Sequence, residues 1–308
     1  MTHSVSGPAS TPPDGIAWPG EYLTAGPWKV FARRAPALSD GAVPGIYVHG
    51  LGGGSAAWTD LMGMLGDRVE GYAVDLPGFG MSPAPAEPAY TVPAQANVVR
   101  DLLEHFDTPV HLIGNSLGAA VALRVAAACP QSVRTLTLIA PTFPDWRPRP
   151  ATVAMVAPLV PVLGQRLMLR QAASSPEEQA RQVLAGLTGP GAHLEPRHHA
   201  QVLADIEAAI GNPDLGTAYL AAVRGAVSGY LQRGRRGLWA AAARVTVPTL
   251  AVFGTADPFI HPRIAARTAR TIPGARVLVL SGIGHLAQVE ARDVVASAIR
   301  DLIGPSTG

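Results

Sequence analysis

Ser116 lies in Gly114-Asn115-Ser116-Leu117-Gly118, between the apolar run Val110 to Gly114 and a helix-forming series that starts at Leu117. A serine hydroxyl is a weak nucleophile near neutral pH. To attack a carbonyl carbon it needs an imidazole to take its proton and a carboxylate to hold that imidazole in one tautomer. A strand that runs straight into a helix supplies the place, because the tight turn lifts the hydroxyl above the sheet in a strained backbone conformation. Gly114 and Gly118 are small where that turn brings backbones together. At the head of the helix, the N–H of Leu117 can stabilise developing negative charge.

Of the nine histidines, His285 has the context of a general base, since it follows the strand-like run Arg276 to Ser281 through the flexible Gly282-Ile283-Gly284. His111 falls inside a strand pattern and His105 inside a helical one, so both read as packing or surface residues. His3, His193, His198, His199 and His261 lie in a tail, a long helical stretch or a loop. The acid is expected at Asp257, directly after the run Val247 to Gly254, with Asp145 as the rival just beyond the run that ends at Ala140. The chain order Ser116, Asp257, His285 is the order known for a nucleophile elbow of this kind. A fourth element, His49-Gly50-Leu51-Gly52-Gly53-Gly54, closes another strand-like run and offers the N–H of Leu51, or of Gly52, as a second oxyanion donor opposite Leu117. His49 reads as structural there. A phosphate loop is the competing reading of these glycines, but no Gly-Lys-Ser/Thr follows and no Gly-x-Gly-x-x-Gly is completed.

These residues need a scaffold that delivers them to one edge. Six short apolar runs read as strands covered on both faces: Gly45 to His49, Gly71 to Asp75, Val110 to Gly114, Val133 to Ala140, Val247 to Gly254 and Arg276 to Ser281. Helical patterns at Ala56 to Arg68, Pro93 to Phe106, Leu117 to Ala128, Pro262 to Arg270 and Ala291 to Ile303 alternate with them, which predicts an α/β fold with a mostly parallel sheet flanked by helices. The alternation breaks once. Residues 142–244 are helical in pattern, cut by Pro and Gly, and read as an inserted helical cap between core segments 29–141 and 245–308. A Pro/Gly/Ser-rich tail is expected over residues 1–28.

Composition narrows the function. At 308 residues and 48% hydrophobic content the chain can bury a substantial core, while a net charge of +2 gives no footprint for nucleic acid. The basic cluster between Arg224 and Arg236 reads as a solvated helix end or loop, with an anionic ligand or a membrane surface as the alternative. Cys129 is the single cysteine, so neither an intrachain disulfide nor a cysteine zinc cluster is available. No apolar run has the length of a membrane span, so stable membrane insertion is not expected, and a cytoplasmic location is the default. His198 and His199 beside Glu195 read as surface residues, since neighbours on a helix point apart. Neither a metal nor an organic cofactor is required.

Together these motifs resemble the α/β-hydrolase superfamily over about Lys29 to Ile303. Asp75-Leu76-Pro77-Gly78-Phe79-Gly80-Met81-Ser82 looks like that family's Asp-x-Pro-Gly-x-Gly-x-Ser turn, and Gly254-Thr255-Ala256-Asp257 and Gly284-His285 look like its acid and histidine loops. The resemblance implies a structural role for Asp75 and a cap that covers the pocket and sets substrate choice. A serine rather than an aspartate at the elbow argues against dehalogenase and epoxide hydrolase chemistry and for acyl transfer. Cleavage of a carboxylic ester of a small to medium, largely apolar substrate is therefore expected. Gly114-Asn115-Ser116 and Gly284 to Glu290 also resemble the hydrolases that cleave carbon–carbon bonds in meta-cleavage products, whose substrate is a ketone. Those enzymes usually carry tryptophan where this chain has Leu286. Perhydrolase-like chemistry would use the same triad, and a ligand-binding or receptor-like protein of the same fold is the reading outside enzymes. Met155, Val156, Leu159, Val160, Leu163, Leu167 and Met168 are expected either to line an apolar pocket or to pack the cap onto the sheet.

Overall fold

The computed structural model describes residues 10–304 apart from 86–89, 161 and 213; the side chains of Leu167 and Met168 lie outside the described residues. Eight strands form one sheet in the order β1-β2-β4-β3-β5-β6-β7-β8. They are β1 (Gly20–Ala25), β2 (Trp28–Ala35), β3 (Val43–Val48), β4 (Val69–Val74), β5 (Val110–Asn115), β6 (Val133–Ile139), β7 (Thr249–Gly254) and β8 (Arg276–Leu280). All six expected strands are present, and from β4 across to β8 every neighbouring pair is parallel.

The sequence reading missed the hairpin β1–β2, which pairs antiparallel and joins the sheet through β4. Gly20–Ala25 is therefore a strand, not tail, and Trp28 already begins the next one. The reason is local: β1 is largely exposed at the edge, so Gly20-Glu21-Tyr22-Leu23-Thr24-Ala25 lacks the continuous apolar run of an inner strand. At the other edge β8 is also half exposed, with Val279 at 45%, so cover on both faces holds only for the inner strands.

Successive residues of the inner strands feed two opposed cores, as the period-two geometry of a strand demands. Ile46, Val48 and Leu112 pack with α2 (Val92–Leu102) and α3 (Leu117–Ala128), together with α9 (Leu238–Ala242) and α10 (Ile264–Thr271). Tyr47, Ile113 and Val252 pack with α1 (Thr59–Leu65) and α12 (Arg292–Ile303), where Trp58, Met62, Val295 and Ile299 close the layer. Between β6 and β7 the chain forms α4 (Pro150–Ala154), α5 (Leu163–Ala172), α6 (Pro176–Leu187), α7 (Pro196–Ile210) and α8 (Leu215–Leu231), then α9. A short α11 (Ala287–Glu290) precedes α12. Of the expected apolar residues in this insertion, Val160 and Leu163 are 49% and 45% exposed, so they neither line a buried pocket nor pack on the sheet.

Candidate active site

The turn between β5 and α3 holds Ser116 at φ 56° and ψ −116°, a left-handed-side conformation that non-glycine residues rarely adopt. Its glycine neighbours explain why the turn closes. A Cβ on Gly114 would stand 2.4 Å from Gly118 O, and one on Gly118 would stand 2.2 Å from Val48 O, both inside contact distance. Ser116 N donates to Ile139 O at 2.8 Å, so the strained residue is still tied to β6.

Parallel β5, β7 and β8 end on the same edge, and the loops after them carry Ser116, Asp257 and His285. Asp257 is fully buried, and its two oxygens divide the work. Oδ1 accepts from Phe259 N at 2.7 Å and Ile260 N at 2.9 Å, while Oδ2 lies 2.8 Å from His285 Nδ1. A carboxylate only accepts, so the proton sits on Nδ1 and leaves Nε2 free as an acceptor. Phe259 stands edge-on to the imidazole, with ring centroids 5.2 Å apart. Asn115 Nδ2 donates to His285 O at 3.1 Å and to Ile139 O at 3.3 Å, stitching the elbow to the histidine loop. Among the described residues Ser116 makes no hydrogen bond to His285. The rival acid Asp145 is engaged elsewhere, its Oδ2 paired with Arg263 at 2.6 Å.

The Gly-rich loop after β3 comes close to the elbow, since a Cβ on Gly50 would lie 3.1 Å from Ser116 Cβ. Leu51 N and Leu117 N thus belong to the two backbone turns that flank the serine, and as the first N–H of α3 the latter has no intrahelical acceptor. His49 is buried and fully occupied: Nδ1 donates to Gly50 O at 2.7 Å and Nε2 accepts from Leu76 N at 2.9 Å. Burial lowers its pKa, so it serves as a neutral strut of the loop. Asp75 does similar work, accepting from Ser55 N at 2.7 Å and Met81 N at 2.9 Å. His111 is a core residue bonded to Thr135 Oγ1 at 2.8 Å, with its pKa lowered to about 4 by burial.

Three features near the site escaped the sequence reading. The Glu290 carboxylate accepts from Gly284 N at 2.9 Å, Leu286 N at 3.3 Å and, across the fold, Gly189 N at 2.7 Å. His285 N itself donates to Leu187 O at 2.6 Å, at the end of α6. The histidine loop is thereby clasped between α6 and α11, so tightly that a Cβ on Gly189 would stand 2.0 Å from Gly282 O. The second is Asp205 of α7, which accepts from Ala56 N at 3.0 Å and Ala57 N at 3.3 Å, at the helical turn that follows the Gly-rich loop. Burial, together with the charge of Asp75, raises its pKa to about 7.

The third is a correction. His198 is 1% exposed and not a surface residue: Nδ1 accepts from Glu195 N at 3.1 Å and Nε2 faces Asp60 Oδ2 at 3.1 Å. Gln201 and Arg197 also reach Asp60, and Arg292 of α12 pairs with Glu195. Burial alone would raise the pKa of Asp60. Hydrogen bonds from His198 and Gln201 and the Arg197 charge outweigh it and hold the carboxyl low. The signal available in the sequence was the string Gly284 to Glu290 for the clasp; nothing local marked Asp60, His198 or Asp205. No group of three or more His, Cys, Asp or Glu placed to hold a metal occurs among the described residues.

The chain belongs to the α/β-hydrolase family, whose model, described as alpha/beta hydrolase fold, matches residues 46–291. It is 29% identical over 284 residues to a pimeloyl-[acyl-carrier protein] methyl ester esterase of Neisseria meningitidis, covering 88% of this chain and 97% of that one. It is 26% identical over 274 residues to Lipase 3 of a Moraxella species, covering 87% and 79%. Among solved structures it is similar to the 2-hydroxy-6-oxo-6-phenylhexa-2,4-dienoate hydrolase of a Rhodococcus species, with a TM-score of 0.73 at 19% identity and 93% and 99% of the two chains covered. At that identity the likeness speaks for the fold alone. No described helix is long and apolar enough to cross a membrane.

Proposed function

We propose that the chain is a carboxylic ester hydrolase in which Ser116 is the nucleophile, His285 the general base and Asp257 its orienting acid. The observation that carries this reading is the buried 2.8 Å pair of Asp257 and His285 on the same sheet edge as a serine held at φ 56°. Ser116 Oγ gives its proton to His285 Nε2 as it bonds to the ester carbonyl carbon. The carbonyl oxygen becomes an oxyanion between the N–H groups of Leu51 and Leu117. Collapse breaks the carbon–oxygen bond to the alcohol, which leaves with the proton from His285. Water, deprotonated by the same nitrogen, then attacks the acyl-enzyme, releasing the acid and restoring Ser116.

Two named relatives, an esterase and a lipase, support ester chemistry. Leu286, in place of the usual tryptophan, sets the chain apart from the carbon–carbon hydrolases its elbow resembles. In this reading residues 142–244 form a cap that selects small to medium, largely apolar acyl groups, no cofactor takes part, and the enzyme works in the cytoplasm. Steady-state rates on a panel of activated esters test it. Ser116→Ala should lower kcat by about 10⁴-fold or more while the protein stays folded. A variant that retains wild-type rates refutes the assignment.

A further inference from the structure

The insertion between β6 and β7 carries an unusual outer face. Residues 142–170 and 215–236 contain eight arginines and, as their only acid, Asp145. That aspartate is spent internally, 8% exposed and paired with Arg263. Seven of the thirteen exposed large hydrophobic side chains among the described residues also fall in these two stretches, a concentration too high for chance scatter over a surface. Trp146 is 76% exposed, Leu169 63%, Val162 and Leu231 62%. Arg166, Arg170, Arg224, Arg233, Arg235 and Arg236 are exposed beside them.

These side chains share one surface. Trp146, Gln232 and Arg233 line one cleft; Leu159, Arg224, Leu231 and the same Gln232 line the next, so the two run together. Neither cleft contains Ser116, Asp257 or His285. Arg147 lies 4.0 Å over the Trp146 ring, a cation on an aromatic face; its backbone N–H, not its guanidinium, donates to Asp145 Oδ1 at 3.2 Å. The helix α5, with Leu169 and Arg170, leans on the turn Ala157–Leu159 that borders the second cleft.

We propose that this face docks the protein peripherally on an anionic lipid surface. Isolated Leu and Val side chains projecting from three separate segments need a fluid apolar phase. A folded acidic protein would have to offer a fitted pocket for each of them. Nucleic acid would call for planar stacking groups, whereas aliphatic side chains dominate here. Arginine stems lie along apolar surface while their guanidinium groups reach phosphate, the arrangement an interfacial face requires. The face also borders the site. Thr152 Oγ1 of α4 donates to Phe259 O at 2.6 Å, and Phe259 stands against His285.

Flotation of the full chain with vesicles is the test, using phosphatidylcholine alone and phosphatidylcholine with about one-third phosphatidylglycerol, at low and high salt. Binding should be at least tenfold tighter to the anionic vesicles and weaken with salt, with Trp146 emission shifting to the blue; a shift that survives in Trp146→Phe assigns it elsewhere and removes Trp146 from the face. The triple variant Arg233→Gln, Arg235→Gln, Arg236→Gln should lose about a hundredfold, at roughly fivefold per arginine. Leu169→Ser with Leu231→Ser should weaken binding severalfold and leave its salt dependence intact. Hydrolysis of a water-soluble ester should be unchanged in all of these, so docking and the triad fail or stand separately. Equal binding to both vesicle types, or wild-type binding by the triple variant, overturns the proposal. So does equally tight binding to soluble polyglutamate that the Leu variants leave unaltered, which would assign the face to an acidic protein.

Discussion

Two parts of the same insertion meet the core in opposite ways. Residues 171–214 carry six acids and two arginines and are pinned by charge: Asp205 caps the turn after the Gly-rich loop, His198, Gln201 and Arg197 converge on Asp60, and Arg292 grips Glu195. Residues 142–170 reverse the balance, with four arginines and one aspartate, and leave Trp146, Val162 and Leu169 in water. The pinned part touches the turn after the Gly-rich loop through α7 and the histidine loop through Leu187 and Gly189. Directional polar contacts, here half-buried, fix geometry, whereas exposed apolar groups leave a surface free for a partner. One part is tied to the Gly-rich and histidine loops, and the other leaves apolar side chains exposed.

The comparison is sharpest at Glu290. If the clasp positions His285, Glu290→Ala should lower kcat about a hundredfold, roughly 2.7 kcal/mol of transition-state stabilisation, with KM little changed. Glu290→Gln, which keeps one acceptor, should recover part of that loss. A fall in melting temperature with kcat intact would make Glu290 a merely structural tie.

Next in size is Asp60→Ala. It removes the acceptor of His198 Nε2 and Gln201 and leaves Arg197 and Arg292 with Glu195 as their shared carboxylate, and chemical denaturation should show a loss of about 2 kcal/mol.

Asp205 and Asp60 then give opposite pH signatures. The folded pKa of Asp205 is raised from 3.8 to about 7, so the native state holds this proton more tightly and stability from this group falls as pH rises from about 4 to 7. Asp60, held low, contributes stability that is lost as pH falls through its folded pKa. Denaturation midpoints against pH should lose the first slope in Asp205→Asn and keep it in Asp60→Ala.

The smallest change is expected on the free part. Leu169→Ser should shift stability by no more than about 0.5 kcal/mol, since that side chain is 63% exposed. A loss several times larger would mean that α5 packs more closely than its exposure implies.

What could be read from the sequence follows the range of each interaction. The elbow, the acid loop and the histidine loop are local strings at strand ends, so Ser116, Asp257 and His285 could be named from neighbours within a few residues. Leu117 and the Gly-rich loop followed from the same logic. The hairpin β1–β2 could not, because an edge hairpin need not be continuously apolar. Nor could Asp60 with His198, 138 residues apart, or Asp205 with Ala56, 149 apart, since only the folded chain makes them neighbours. His198 illustrates the limit: its sequence context is that of a polar helix start, and its burial comes from a core helix brought against it.

The central claim is that Ser116 forms a covalent bond through its oxygen. A fluorophosphonate probe reads that bond directly, by intact mass and by mapping the modified peptide. One adduct is expected, on Ser116, abolished in Ser116→Ala and strongly slowed in His285→Ala. An unlabelled folded protein, or an adduct on another residue that survives in Ser116→Ala, would contradict it.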